Sequence, residues 1–134
     1  MTWIGAGENT AFKILQELFP KYTIFRQYPL RKLIPRNQLK YLSKRQRKEI
    51  LDIVLIDSML PRKSVIVVRV QDKHHKGDIT AQHDGIQKDL LKSFKYEVVD
   101  LLWNEALELF SERYNEKSIT EVKQALATCK IKIP

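Results

Sequence analysis

Polar residues occur at two places where the sequence otherwise predicts buried strands. Asp52 interrupts the apolar run EILDIVLID, and Gln71 and Lys73 stand two residues apart at the end of the run that begins VIVVRV. A buried carboxylate is costly unless it is paired or binds a cation, and residues two apart on a strand share one face. If the two strands form a hairpin, we expect Asp52, Gln71 and Lys73 to converge at the sheet edge.

Such a group has the chemistry that phosphodiester hydrolysis needs. A divalent metal polarises the phosphate and activates water, and Mg²⁺ prefers oxygen ligands from one or two carboxylates, waters and substrate. Asp52 would supply the charge, Gln71 its amide oxygen and Asp72 its backbone carbonyl. Lys73 would orient the attacking water or neutralise the developing charge, and Glu8, in the first helix, could complete the group. We therefore expect a Mg²⁺ site in which Mn²⁺ can substitute.

The histidines and the cysteine argue against a zinc site and against a fold held by disulfides. His74, His75 and His83 do not predict a zinc site, because successive strand residues point to opposite faces and Cys129 is the single cysteine. One cysteine cannot cross-link the fold, which favours a cytoplasmic or other reducing, DNA-containing compartment. The sequence has neither a secretory signal nor the roughly 18 consecutive apolar residues of a membrane helix, so we expect no secretion and no membrane contact.

Positive charge is concentrated in one part of the chain. The net charge is +8, yet ten basic residues lie between Lys21 and Lys48, where no Asp or Glu occurs, so the remainder is near −2. Such a block attracts phosphate backbones, although a solvated loop would have the same composition. The predicted DNA contacts lie in residues 31–48. They are Arg31, Lys32, Arg36, Lys40, Lys44, Arg45, Arg47 and Lys48.

The hydrophobic pattern predicts the elements that would position these residues. A helix over GENTAFKILQELFP precedes a strand over YTIFRQYPL, and the basic connection with a short helical or hairpin segment follows. EILDIVLID and residues 64–73 form a hairpin. A helix over DITAQHDGIQKDLLKSF, a strand over YEVVDLLW and helices over NEALELFSERYNEK and SITEVKQALATC complete the chain. The order predicts one α/β domain with a mixed central sheet flanked by helices, and residues 105–134 form a C-terminal helical extension.

These residues and this element order resemble the PD-(D/E)XK nuclease superfamily. The match is Asp52 followed by Gln71-Asp72-Lys73, with Glu8 in place of the acid that many members carry in their first helix, and it covers roughly residues 5–103. The resemblance implies a restriction-endonuclease-like αβββαβ core. It also implies a metal-dependent endonuclease for duplex or branched DNA, similar to homing endonucleases and Holliday-junction resolvases, that acts as a homodimer or homotetramer.

Gln71 departs from the family pattern, because most members have an acid there. A Gln-x-Lys variant is found in some intron-encoded homing endonucleases of this fold, and the lost charge should weaken metal binding. A second alignment is also open: RVQDKHH resembles small nucleases related to very-short-patch repair enzymes. In that alignment Arg69 and Gln71 replace acids, His75 matches a histidine, and the domain is an inactive DNA- or RNA-binding module. The first alignment is preferred because it keeps Asp52, Lys73 and Glu8.

The C-terminal helices carry apolar residues whose burial the sequence leaves open. They could form an oligomer interface, or they could fold back onto the core. These residues are Leu107, Phe110, Tyr114, Ile119, Val122 and Leu126.

Overall fold

Four strands form one mixed sheet. A computed structural model describes residues 6–57, 64–72, 78–103 and 116–133. The first two pairs of neighbouring strands are antiparallel and the last pair is parallel. This arrangement confirms the predicted α/β class with a mixed sheet and flanking helices. In their spatial order the strands are β1 (Thr23–Pro29), β2 (Ile50–Asp57), β3 (Ser64–Asp72) and β4 (Glu97–Trp103).

The helices follow the predicted order, and the basic connection is helical. Two short 3₁₀ helices and one short α-helix occupy this connection. None of the described helices is long and apolar enough to cross a membrane. The helix predicted over NEALELFSERYNEK falls mostly outside the described residues. The α-helices are α1 (Ala6–Leu18), α2 (Lys44–Lys48), α3 (Asp78–Ser93) and α4 (Glu116–Thr128), and the 3₁₀ helices are Leu30–Leu33 and Arg36–Tyr41.

The central strands are buried on both faces, which is why their sequences are almost continuously apolar. On one face α1 and α4 cover the sheet, and we call the resulting cluster the first core. Its sheet residues are Ile53, Leu55, Ile66, Val68, Val99 and Leu101, and its helix residues include Ile14, Leu15, Val122 and Leu126.

The opposite face is covered by α3 and by the basic connection, whose apolar residues contribute to a second core. Leu91 of α3 is fully buried, and Tyr96 donates a hydrogen bond from its hydroxyl to the carbonyl of Leu33 over 2.6 Å. The connection is therefore fastened to the sheet, although its charged residues face solvent. The second core comprises Leu30, Leu33, Ile34, Leu42, Leu51, Val54, Ile56, Val65, Val67, Leu91 and Val98.

The last helix folds back onto its own chain. Val122 and Leu126 are buried in the first core, and Ile119 packs against it. These three side chains are thus part of the monomer core, and they are not free to form an oligomer interface. Leu107, Phe110 and Tyr114 lie outside the described residues.

Candidate functional site

The pairing of β1 with β2 is interrupted at Gln27 and Asp52. Paired positions run from Thr23–Ile56 to Arg26–Ile53 and resume at Tyr28–Leu51. Gln27 has a φ of 51°, in the left-handed region that non-glycine residues rarely adopt. Ile53 belongs to the first core but Leu51 belongs to the second, whereas residues two apart on a regular strand share a face.

At this interruption the carboxylate of Asp52 bonds to the backbone of the neighbouring strand β3. The pairing of β2 with β3 ends at Ile53–Val68, and beyond it one oxygen of Asp52 accepts a hydrogen bond from the backbone N–H of Val70 over 2.9 Å. The side chain thereby satisfies a donor of β3 that would otherwise lack its strand partner. Asp52 is thus fixed where β2 and β3 separate.

Glu8 of α1 belongs to the same group. Its residue is only 7 % exposed, and the amide of Gln27 donates a 2.7 Å hydrogen bond to one carboxylate oxygen. Burial raises the pKa of Glu8 above its ordinary value. The hydrogen bond from Gln27 and the charge of Arg26 lower this pKa, the charge of Asp52 raises it further, and the net result is an increase. The charge of Asp52 therefore acts on Glu8 in the folded chain.

Arg26 of β1 supplies a positive charge that acts on Glu8. The guanidinium carbon of Arg26 lies 4.9 Å from the centre of the Phe12 ring. Its Nε and Nη2 are buried and have no hydrogen-bond partner within the described part of the chain. The attraction between this guanidinium and Glu8 is the smallest of the influences on the pKa of Glu8, and the Phe12 ring adds a cation–π contact.

The two carboxylates fit a hard cation. Mg²⁺ is bound by one or two carboxylates and keeps several waters, and a cation beside Glu8 and Asp52 would offset the burial and repulsion that raise the pKa of Glu8. The described residues contain no group of three His, Cys, Asp or Glu side chains that could hold a metal ion. Any further ligand would therefore come from residues such as Gln71 and Asp72. Glu8 and Asp52 would hold the ion, which when bound would polarise a phosphate and acidify a water.

The other predicted members of the site are only partly visible. Gln71 and Asp72 occupy the last two positions of β3, opposite Leu102 and Trp103 of β4. Their side chains, like Lys73, His74 and His75, lie outside the described residues. The convergence of Gln71 and Lys73 with Asp52 remains a prediction.

A second polar cluster lies on the opposite face and was not predicted. Arg69 of β3 is buried and makes two hydrogen bonds to Asp100 of β4, 2.6 Å from Nε and 3.0 Å from Nη2. Lys88 of α3 lies 3.4 Å from the same carboxylate. Burial by itself raises the pKa of Asp100, but the bonds and charge of Arg69, together with Lys88, outweigh it and hold the pKa below its usual value.

This second cluster fastens the basic connection to the sheet. Gln87 of α3 accepts from Arg69 over 3.4 Å and donates to Glu49 over 2.9 Å. Glu49 directly follows α2 and precedes β2. Arg69, Gln87 and Glu49 thus link the centre of the sheet to the most basic helix. The sequence signal was Arg69 itself, an isolated charge within VIVVRV, although its partners are set only by the fold.

All eight predicted DNA-contacting residues are exposed to solvent. Four lie on α2, which begins with a capping box in which Ser43 and Gln46 each bond the other's backbone N–H. The connection leaves β1 at Pro29 and enters β2 at Ile50, two residues before Asp52. The basic surface and the carboxylates therefore lie at the same end of the β1–β2 pair.

Comparison with known proteins gives no match. No protein-family model fits the chain, and neither a curated protein nor a solved structure shows significant similarity to it.

Glu8→Gln should stabilise the protein near neutral pH. Because the pKa of Glu8 is raised in the folded state, the unfolded chain ionises first, and stability is lost as pH rises above the ordinary value of 4.5. Glutamine keeps an oxygen for Gln27 and removes the charge. Thermal unfolding in EDTA should give the variant a higher Tm than the parent at about pH 7, and a similar Tm at about pH 3. Glu97→Gln, on an exposed residue of β4, is the control; a lower Tm for Glu8→Gln at about pH 7 would contradict the prediction.

Asp100→Asn should have the opposite pH dependence. Because the pKa of Asp100 is lowered by folding, its contribution is complete above the ordinary value of 3.8 and is lost as pH falls through the folded-state pKa. Removing one partner of a buried pair costs roughly 3–5 kcal/mol, and the 25 % exposure of Asp100 places the expected loss at or below the lower end. Urea unfolding at about pH 7 and about pH 3 measures this, and the difference from the parent should shrink in acid. Asp89→Asn, exposed on α3, should leave stability nearly unchanged at both pH values.

Proposed function

We propose that this protein is a metal-dependent DNA endonuclease that hydrolyses phosphodiester bonds in duplex or branched DNA. The observation that carries the proposal is the electrostatic interaction of buried Glu8 with Asp52. Asp52 lies where β2 and β3 separate, at the end of the β1–β2 pair from which the basic connection emerges. The buried acids alone, or the basic connection alone, could be purely structural. Together they support a metal site close to a basic surface that would attract phosphates.

The roles of the residues follow from their chemistry. Glu8 and Asp52 would hold Mg²⁺, with Mn²⁺ as a substitute, and Gln71 and Asp72 would add neutral oxygens. Gln27 fixes one oxygen of Glu8 and so orients the carboxylate. The expected role of Lys73, which follows β3 directly, is to orient water or stabilise the charge that develops on the phosphate.

The finer description of the fold is part of the same proposal. The order α1, β1, β2, β3, α3, β4 is that of a restriction-endonuclease-like core, with α2 inserted before β2 and α4 added after β4. Two strands must be cut to break a duplex, so we further propose a homodimer or homotetramer, in a reducing compartment that contains DNA.

One observation favours an inactive DNA- or RNA-binding module as the second candidate. In the alternative alignment Arg69 stands where a nuclease has an acid. Arg69 is buried in a two-bond pair with Asp100, so it contributes a cation that is already neutralised. On this view the basic surface binds nucleic acid and the sheet only supports it.

Lys73→Ala should abolish cleavage and leave DNA binding nearly intact. The lysine would act on the transition state, whereas affinity comes from phosphate contacts elsewhere. Loss of one such group costs about 100-fold to 1,000-fold in rate. The measurement is cleavage of duplex, junction and single-stranded DNA with Mg²⁺ or Mn²⁺, alongside binding in EDTA. Lys92→Ala, on an exposed residue of α3, is the matched control.

Two outcomes would decide between the candidates. If the parent protein binds DNA but cuts none of these substrates with either metal, the binding module is correct. If the parent cuts and Lys73→Ala cuts equally fast, the catalytic cation is another residue. Gln71→Glu restores the commoner motif and should tighten metal binding.

Neutralising α2 should weaken DNA binding and flatten its salt dependence. Every phosphate that the protein no longer neutralises reduces the slope of log affinity against log salt by about 0.9 for duplex DNA. Fluorescence anisotropy across a salt series, with a labelled duplex in EDTA, gives both quantities. The variant changes all four basic residues of α2 to glutamine: Lys44, Arg45, Arg47 and Lys48.

A matched control separates the position of the charges from their number. It changes four exposed lysines outside the acid-free segment and therefore has the same net charge. Equal loss of affinity in both variants would mean that total charge alone drives binding and would contradict a specific basic surface. The control residues are Lys13, Lys92, Lys123 and Lys132.

A further inference from the structure

One aromatic ring of the basic connection is held in solvent. Tyr41 is 72 % exposed, whereas the other exposed large apolar side chains in the described part of the chain range from 36 % to 52 %. It is the last residue of the 3₁₀ helix Arg36–Tyr41. Isolated exposed aromatics are common on protein surfaces, so the meaning of Tyr41 depends on its surroundings.

The backbone around Tyr41 is anchored on both sides. Leu42 is buried in the second core, and Leu39 packs against that core. The N–H of Leu42 donates to the carbonyl of Leu39 over 3.1 Å, which closes the turn that carries the ring. Tyr41 therefore projects from a fixed turn, and little conformational freedom would be lost when its ring is covered.

One cation lies against this ring, and other basic residues belong to the same connection. The ammonium of Lys40 lies 5.2 Å from the ring centre, and Arg47 donates a 3.5 Å hydrogen bond to the carbonyl of Lys40. The other basic residues of α2 are exposed on the same short connection. No acid lies between Lys21 and Lys48. An exposed ring among unopposed cations suits a single strand of nucleic acid, because the cations follow the phosphates while a base stacks on the ring.

We propose that Tyr41, with Lys40 and Arg47, binds an unpaired stretch of DNA by stacking a base on its ring. In a duplex each base is already stacked between its neighbours, so the ring gains little there. The substrate would be DNA with a single-stranded tail, gap or junction, and this site rests only on the DNA-binding part of the proposed function. Catalysis does not enter it.

The test compares single-stranded and duplex DNA in the full chain. The probes are a labelled oligothymidine and a duplex of equal length, measured by anisotropy in EDTA at fixed salt. Tyr41→Ala should weaken binding of the single strand about 10-fold to 100-fold and that of the duplex less than about twofold. Tyr41→Trp should restore single-strand affinity. Ile86→Ala, at an exposed apolar residue of α3, is the control and should change neither.

Each outcome supports or refutes the stacking site at Tyr41. If the parent binds both probes and Tyr41→Ala leaves single-strand affinity unchanged, or lowers both affinities equally, the stacking site is refuted and DNA binding stands. If the parent binds neither probe, the proposed function fails with it. If an oligouridine RNA alone depends on Tyr41, the assignment to DNA is overturned. A salt slope that stays constant in Tyr41→Ala supports stacking, since the substitution leaves the phosphate contacts in place.

Discussion

The central strands β2 and β3 are covered on both faces, and this burial constrains every polar group in them. Each buried side chain that carries a charge must find a partner within the protein, because water cannot supply one. Asp52 and Arg69 are the polar residues inside these apolar runs. Asp52 bonds the backbone of Val70, and Arg69 bonds Asp100. The bond of Asp52 forms where β2 and β3 separate, and Arg69 also bonds to Gln87 of α3.

Folding changes the ionisation of the carboxylates around these two residues in opposite directions. Arg69 and Asp100 form a neutral pair with nearly ideal geometry, and Asp100 is easier to ionise as a result. Burial, and to a smaller extent the like charge of Asp52, raise the pKa of Glu8. The bonds of Asp100 to Arg69 are therefore expected to stabilise the folded chain at neutral pH, whereas the burial of Glu8 is expected to destabilise it. This difference is consistent with the proposed cation site at Glu8 and Asp52, because perturbed pKa values are frequent at functional sites.

The sequence was sufficient for the elements and insufficient for the contacts between them. Strands of apolar residues and a helix with one apolar face are local patterns, so their positions and the mixed sheet followed from periodicity. The charge of Asp52 acts on Glu8 because the fold sets the start of α1 near the strand interruption, and the further members of the predicted site stay a prediction. The pairing of Arg69 with Asp100 depends on the parallel register of β3 and β4, which no local pattern encodes. The exposure of Tyr41 likewise depends on its neighbours Leu39 and Leu42 being buried, which is a property of tertiary packing.

The interruption at Gln27 also affects the outer side of β1. This strand lies at one margin of the described sheet, where a row of free N–H and C=O groups could pair with a strand from another molecule. Gln27, in its left-handed conformation, breaks the regular spacing of that row, and Pro29 has no N–H to offer. The irregularity beside Asp52 therefore also makes the open margin a less regular template for pairing with a strand of another molecule.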